Sequence, residues 1–189
     1  MVQQEHSSMN EPNPLPGAAS ARQTIERYIR VDHAGEYGAA QIYAGQLAVL
    51  GKSKHAAILQ HMKEQEQHHL DVFSQLITTR RVRPTALLPF WRVAGFALGA
   101  ATAAMGPRAA MACTVAVEET IDAHYASQEA TLGADEAPLR ETIAGFRAEE
   151  LEHRDIGLAH EAELTPGYKV LTGIIKAGCK LAILISERI

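Results

Sequence analysis

Six ionisable residues fall where amphipathic helices should be oily, and this most narrows what the chain can become. From about residue 22 to 50, large or apolar residues recur at Ile25, Ile29, Ala40, Tyr43, Leu47 and Leu50, the spacing of one helix face. Glu36 sits on that face, seven residues after Ile29 and four before Ala40. A second helix, opening near Ser53, carries Ile58, Met62, Phe73 and Leu76, with Glu66 and His69 in line between Met62 and Phe73. A third, from Pro107 to the break at Gly133, carries Met111, Val115, Tyr125 and Leu132, and Glu118 interrupts it. A fourth, from about Asp135, carries Leu139, Ile143 and Phe146, and Glu150 and His153 continue the line. Charges buried in an oily interior are costly unless they are paired or hold a metal.

Their order along the chain selects the second solution. Glu36 precedes Glu66 by 30 residues, and Glu118 precedes Glu150 by 32. Each half therefore reads Glu, a long gap, then Glu-x-x-His. Residues three apart on a helix are neighbours, so each Glu-x-x-His offers a carboxylate and an imidazole to one small volume. Antiparallel pairing of the halves gathers four carboxylates and two imidazoles, the ligand pattern of ferritin-like di-iron and di-manganese bundles. The four carboxylates carry four negative charges, which match two divalent ions, and imidazole suits iron. An isolated Glu-x-x-His is most often a solvated helix face; two of them, in register with apolar stripes and with two single glutamates, favour metal. At the acidic pairs, Glu118 is chosen over Glu119 for its stripe, and Glu150 over Glu149 for the histidine three residues later.

The expected fold is all-α: a ferritin-like antiparallel four-helix bundle over residues 22–189 with a di-iron centre and two extra apolar helices. The first, in TALLPFWRVAGFALGAATAAMG, is expected to stand out as an apolar hairpin; its longest uncharged run, Val93 to Gly106, has 14 residues. That is short of the ~18 needed to cross a bilayer. The second starts after Pro166-Gly167 and runs nearly to the C-terminus. Residues 1–21 are polar and Pro/Ser-rich, lack both a secretory apolar stretch and a transit peptide's arginines, and read as a disordered tail. The net charge of −4 gives no footprint for nucleic acid. Two cysteines, Cys113 and Cys179, exclude a four-thiolate cluster or rubredoxin module within the chain and read as small buried hydrophobes.

The segments RVDHAGEYGAAQIYAGQLAVLG, VAVEETIDAHY, EELEHRDIGL and AGCKLAILISERI resemble the demethoxyubiquinone hydroxylase family over about residues 22–189. The resemblance implies six iron ligands, Glu36, Glu66, His69, Glu118, Glu150 and His153, with Glu66 and Glu150 bridging. Glu36 and His69 would then complete one ion, Glu118 and His153 the other. It implies O2-dependent ring hydroxylation of a polyprenylated demethoxyubiquinol, one oxygen atom entering the product and the other leaving as water. It places His124 and Tyr125 near the substrate channel. No flavin or nicotinamide fingerprint is present, so electrons are expected from outside the chain, NADH being one donor the family suggests.

Asp32 and Asp122, one turn from Glu36 and Glu118, stand as candidate acceptors for the ligand imidazoles or as partners of local basic residues. His33, His61, His68 and His160 are expected on the bundle surface or behind the ligands. A polyprenyl substrate lives in a bilayer. The RRVR run at 80–83, Phe90 and Trp91, and a last helix with Lys169, Lys176 and Lys180 on one side suit a peripheral contact with a membrane. The expected location is the cytoplasmic side of a bacterial inner membrane. The same apolar surfaces would also suit a ubiquinone-biosynthesis partner or a second copy of the chain. The rival functions are a ferritin-like iron store or peroxide scavenger, and a non-catalytic membrane-docking protein.

Overall fold

The computed structural model describes residues 19–189, so most of the N-terminal tail, residues 1–18, lies outside the described residues. Among the described residues there are six α-helices and no strand: α1 Ala21–Leu50, α2 Ala56–Thr79, α3 Leu88–Ala104, α4 Pro107–Glu129, α5 Ala137–Ala159 and α6 Tyr168–Ser186. Local chemistry sets several ends. Ser20 and Gln23 form a reciprocal capping box at the start of α1. Helices α3, α4 and α5 each open with a proline in the first turn, where its missing N–H costs nothing. The second helix starts at Ala56 rather than near Ser53, because residues 51–55 turn the chain back. Leu132 lies beyond the end of α4 yet remains buried.

Helices α1, α2, α4 and α5 form the bundle. Side-chain pairs fix their directions: Tyr125 meets Glu36 and Tyr43 meets Glu118, so α1 and α4 are antiparallel. His69 meets Glu149 and Gln65 meets His153, so α2 and α5 are antiparallel too. Because α2 and α4 then run the same way, the chain must travel back along the bundle between them. The apolar segment does this as one helix, not the expected hairpin. The 17 residues of α3 span about 26 Å and lie parallel to α1.

Glycines make that contact possible. A Cβ on Gly99 would fall on the Ile42 carbonyl of α1, and one on Gly45 would fall on the Phe96 carbonyl of α3. A Cβ on Gly95 would come to 2.7 Å from the Gly38 carbonyl oxygen. Small residues four apart let two helix backbones touch, as they do in membrane helix pairs. Helix α6 packs along α4 through Ile175 and a Lys176–Glu119 ion pair. Lys176, expected on one side of the helix with Lys169 and Lys180, is the member of that row that pairs with the bundle.

Gly99→Ala is expected to lower unfolding stability by about 1–3 kcal/mol through overpacking of α3 on α1. Gly145→Ala, on an open face of α5, is expected to raise it by roughly 0.5–1 kcal/mol. Urea melts of both variants check the contrast.

Candidate metal centre

Glu36 from α1, Glu66 and His69 from α2, Glu118 from α4, and Glu150 and His153 from α5 meet in the bundle interior, each at most 1% exposed. They form two groups of four. One holds Glu36, Glu66, His69 and Glu150; the other holds Glu66, Glu118, Glu150 and His153. Within each group one ligand atom per residue lies within 4.8 Å of all the others. Glu66 and Glu150 belong to both groups, the arrangement of two ions sharing two carboxylates. All six residues singled out from the sequence are thus brought together.

The inward-facing atoms lack what buried polar atoms need. Glu66 and Glu150 leave both carboxylate oxygens without a hydrogen bond, and Glu36 and Glu118 each leave Oε2 so. Both histidines leave Nδ1 without one. His69 Nδ1 faces Glu150 Oε1 at 3.2 Å and Glu36 Oε2 at 3.5 Å. His153 Nδ1 faces Glu66 Oε1 at 3.1 Å and Glu150 Oε2 at 3.3 Å. A buried polar atom left unpaired costs a kilocalorie or more per mole. Eight such atoms around one point are a donor set for cations, and the residues fit a pair of metal ions.

The outward-facing atoms are held. His69 Nε2 donates to Glu149 at 2.7 Å, and His153 Nε2 donates to Gln65 Oε1 at 3.0 Å. Both rings are thereby turned so that Nδ1 points to the cluster. Tyr43 donates its hydroxyl to Glu118 at 2.8 Å, and Tyr125 donates to Glu36. Phe146 stacks on the His69 ring with centroids 4.0 Å apart, sealing that side with hydrocarbon.

Sequence reasoning missed Tyr43, Gln65 and Glu149. The signal was available: Tyr43 stands seven after Glu36 as Tyr125 stands seven after Glu118, and Gln65 and Glu149 precede the paired glutamates. Asp122 instead takes Arg147 Nε at 2.7 Å near the surface. Asp32 is buried but accepts from Gln128 at 2.7 Å and faces His124 at 3.2 Å. Neither aspartate reaches a ligand imidazole. His33 is buried against Ser74, His61 and His68 are exposed, and His160 is partly buried beside His55.

Burial pushes the Glu66 and Glu118 carboxyls well above the usual carboxylate range, and the nearby Glu150 carboxylate adds to it in both. Burial would raise Glu150 as well, but contact with His153 and His69 holds it down at about 2. Burial alone would lower His69, yet the Glu150 and Glu36 carboxylates carry it up to about 12. His153 is raised against the same opposing effect of burial, by Glu150 and Glu118. Burial and mutual contact thus favour the protonated forms of Glu66, Glu118, His69 and His153 beside an ionised Glu150.

Beside this cluster, between α1, α3, α4 and α6, lies an apolar cavity of about 390 Å³. Gly35 and Val117, next in sequence to Glu36 and Glu118, line it, so cavity and carboxylates occupy adjoining faces of the α1–α4 seam. Trp91, Ile174, Cys179 and Ile183 form its outer walls.

A ferritin-like helical bundle whose core holds a buried carboxylate–histidine cluster fit for two metal ions defines the class. Within that class, the chain belongs to the family described as ubiquinone biosynthesis protein COQ7, which matches residues 23–186. It is 58% identical to the 3-demethoxyubiquinol 3-hydroxylase of Rhodospirillum rubrum, over 93% of this chain and 83% of the relative. It is 56% identical to the bovine mitochondrial NADPH-dependent 3-demethoxyubiquinone 3-hydroxylase, over 89% of this chain and 79% of the relative. A mitochondrial 5-demethoxyubiquinone hydroxylase of Saccharomyces cerevisiae is 43% identical over 87% of this chain and 78% of the relative.

A divalent ion bound here would replace the protons that the raised His69, Glu66 and Glu118 hold, so its uptake is expected to release protons and to tighten as pH rises. Calorimetry with Co(II) in buffers of different ionisation enthalpy measures the release directly; uptake without proton release contradicts it.

Proposed function

We propose that this protein is a di-iron monooxygenase that hydroxylates the ring of a polyprenylated demethoxyubiquinol with O2, in ubiquinone biosynthesis. The observation that carries this reading is the juxtaposition of the two overlapping four-ligand groups with an apolar cavity along the same helix seam. The names of the bacterial and mitochondrial relatives support the same reaction. An iron store or peroxide scavenger would use the cluster but has no need of the cavity.

The proposed ligands are Glu36, Glu66, His69 and Glu150 for one ion, and Glu66, Glu118, Glu150 and His153 for the other. A carboxylate-rich set with two imidazoles and no thiolate suits iron, which supplies the O2 reduction that ring hydroxylation requires. The chain's own residues do the rest. Glu149 and Gln65 aim the imidazoles, while Tyr43 and Tyr125 hold the terminal glutamates through their hydroxyls. The apolar packing of Phe73, Phe146 and Met62 keeps water from the cluster. His124 and Tyr125, which the family resemblance sets near the substrate channel, do not line the cavity: Tyr125 is bound to Glu36, and His124 pairs with Asp32. One oxygen atom enters the ring and the other leaves as water, with two electrons supplied from outside the chain. NADPH, named for the bovine relative, is the donor class to test, with NADH beside it.

The cavity offers an apolar place for part of the substrate's tail, and Ile174 on its wall is 67% exposed. Of the helices that line the cavity, α3 exposes Phe90, Val93 and Phe96, and α6 exposes Val170, Leu181 and Leu184. Among the described residues no helix is long and apolar enough to cross a membrane. These faces, flanked by exposed Arg81, Arg83, Arg92, Lys169 and Lys180, instead suit peripheral docking on a lipid surface. The tail would then pass from bilayer to cavity without crossing water.

Anaerobic loading is expected to give about two irons per chain, with a clear loss in Glu150→Ala. The loaded wild type, given reductant and O2, should convert a demethoxyquinol to its hydroxylated product; iron without turnover would sink the hydroxylase reading alone. Ile174→Asp and Val93→Asp should each weaken sedimentation with anionic phospholipid vesicles roughly tenfold and leave iron content unchanged. Unaltered vesicle binding in both would remove the docking surface.

A further inference from the structure

The cluster is built twice. Passing from α1–α2 to α4–α5, Glu36, Tyr43, Glu66 and His69 are answered by Glu118, Tyr125, Glu150 and His153. Even the fully buried glutamines correspond, Gln46 standing ten after Glu36 and Gln128 ten after Glu118. Each tyrosine bonds the terminal glutamate of the other half, so the tyrosines treat the two metal positions alike. The repeat breaks at the residues that hold the imidazoles. His153 is held by the neutral amide of Gln65, His69 by the carboxylate of Glu149.

Resting on the two-ion reading above, we infer that this break makes the two metal positions unequal. The ion on Glu36 and His69 is the tighter one and fills first, and Glu149 is the positioning residue responsible. A carboxylate accepting from the far N–H of a ligand imidazole makes that ring a stronger donor and fixes its orientation. The bond is charge-assisted and short, at 2.7 Å, whereas the amide bond on the other side is neutral and longer, at 3.0 Å. Glu149 is itself partly exposed, with its side chain 39% accessible, so solvent softens the effect without removing the hydrogen bond. Asp32 also lies on the Glu36 side, but it accepts from Gln128 and faces His124, so it orients no ligand ring.

The test is anaerobic titration with Co(II), read by calorimetry and by the metal's visible bands. The wild type is expected to fill in two steps separated by about 10- to 100-fold in affinity. Glu149→Gln, which keeps the acceptor and removes the charge, should merge them by weakening the first. Gln65→Glu should close the gap from the other side by tightening the second. It decides the matter if Glu149→Gln fails to fold by circular dichroism. Loading one equivalent of 57Fe(II) should give a single Mössbauer doublet in the wild type and a mixture in Glu149→Gln. Two Co(II) ions entering the wild type in one step, or two unchanged steps in both variants, would overturn the inference while leaving the two-ion site standing. No Co(II) uptake at all would overturn both.

Discussion

Four carboxylates packed into one small volume of hydrocarbon repel each other and have lost their water, and the rest of this structure follows from that cost. Protons offset it in part: Glu66 and Glu118 are driven toward the neutral form while His69 and His153 are held toward the charged one. The inward atoms still find no hydrogen bonds. A bundle that wanted only stability would replace such a cluster with aliphatic side chains, which often do as well or better. Keeping it makes sense when cations fill it, and the cost of the metal-free site becomes a driving force for metal uptake. The outer hydrogen bonds from Tyr43, Tyr125, Gln65 and Glu149 keep the repelling groups from turning away.

The second constraint is topological. Four antiparallel contacts around the cluster leave α2 and α4 pointing the same way, so a full-length return is unavoidable. The glycines of α3 and α1 let that return lie backbone against backbone on the bundle. The crossover therefore does two jobs. Its inner face closes one wall of the cavity, and its outer face, with that of α6, carries the exposed apolar residues Phe90, Val93, Phe96, Val170, Ile174, Leu181 and Leu184.

Much of the site was legible because a charge at a helix position that should be apolar is a strong local signal. Glu36, Glu118, Glu150 and the histidines announced themselves by interrupting stripes, and the matched gaps tied the halves together. The acceptors of the imidazoles were not legible in that way. Gln65 and Glu149 lie one residue off the stripes, on faces where polar residues are ordinary, and only the seam between α2 and α5 gives them their partners. Asp32 and Asp122 looked better placed by spacing along their own helices. Asp122 instead faces Arg147 of α5, and Asp32 faces His124 and Gln128 of α4. The Lys176–Glu119 pair was illegible for a related reason, since only the rotation of α6 on α4 brings the two together.

The sequence by itself determined the helices, the ligand residues and their division into two equivalent halves, since period and spacing are properties of a single chain. Tertiary structure decided which oxygens face which nitrogens, which carboxylates are shared, and that the apolar segment lies flat as a crossover. It also decided that one imidazole rests on a carboxylate and its counterpart on an amide. Those outcomes depend on helix rotation and backbone approach. Such quantities are set by packing between segments far apart in the chain, here by glycines that admit a neighbouring helix and by buried carboxylates that must point at one another.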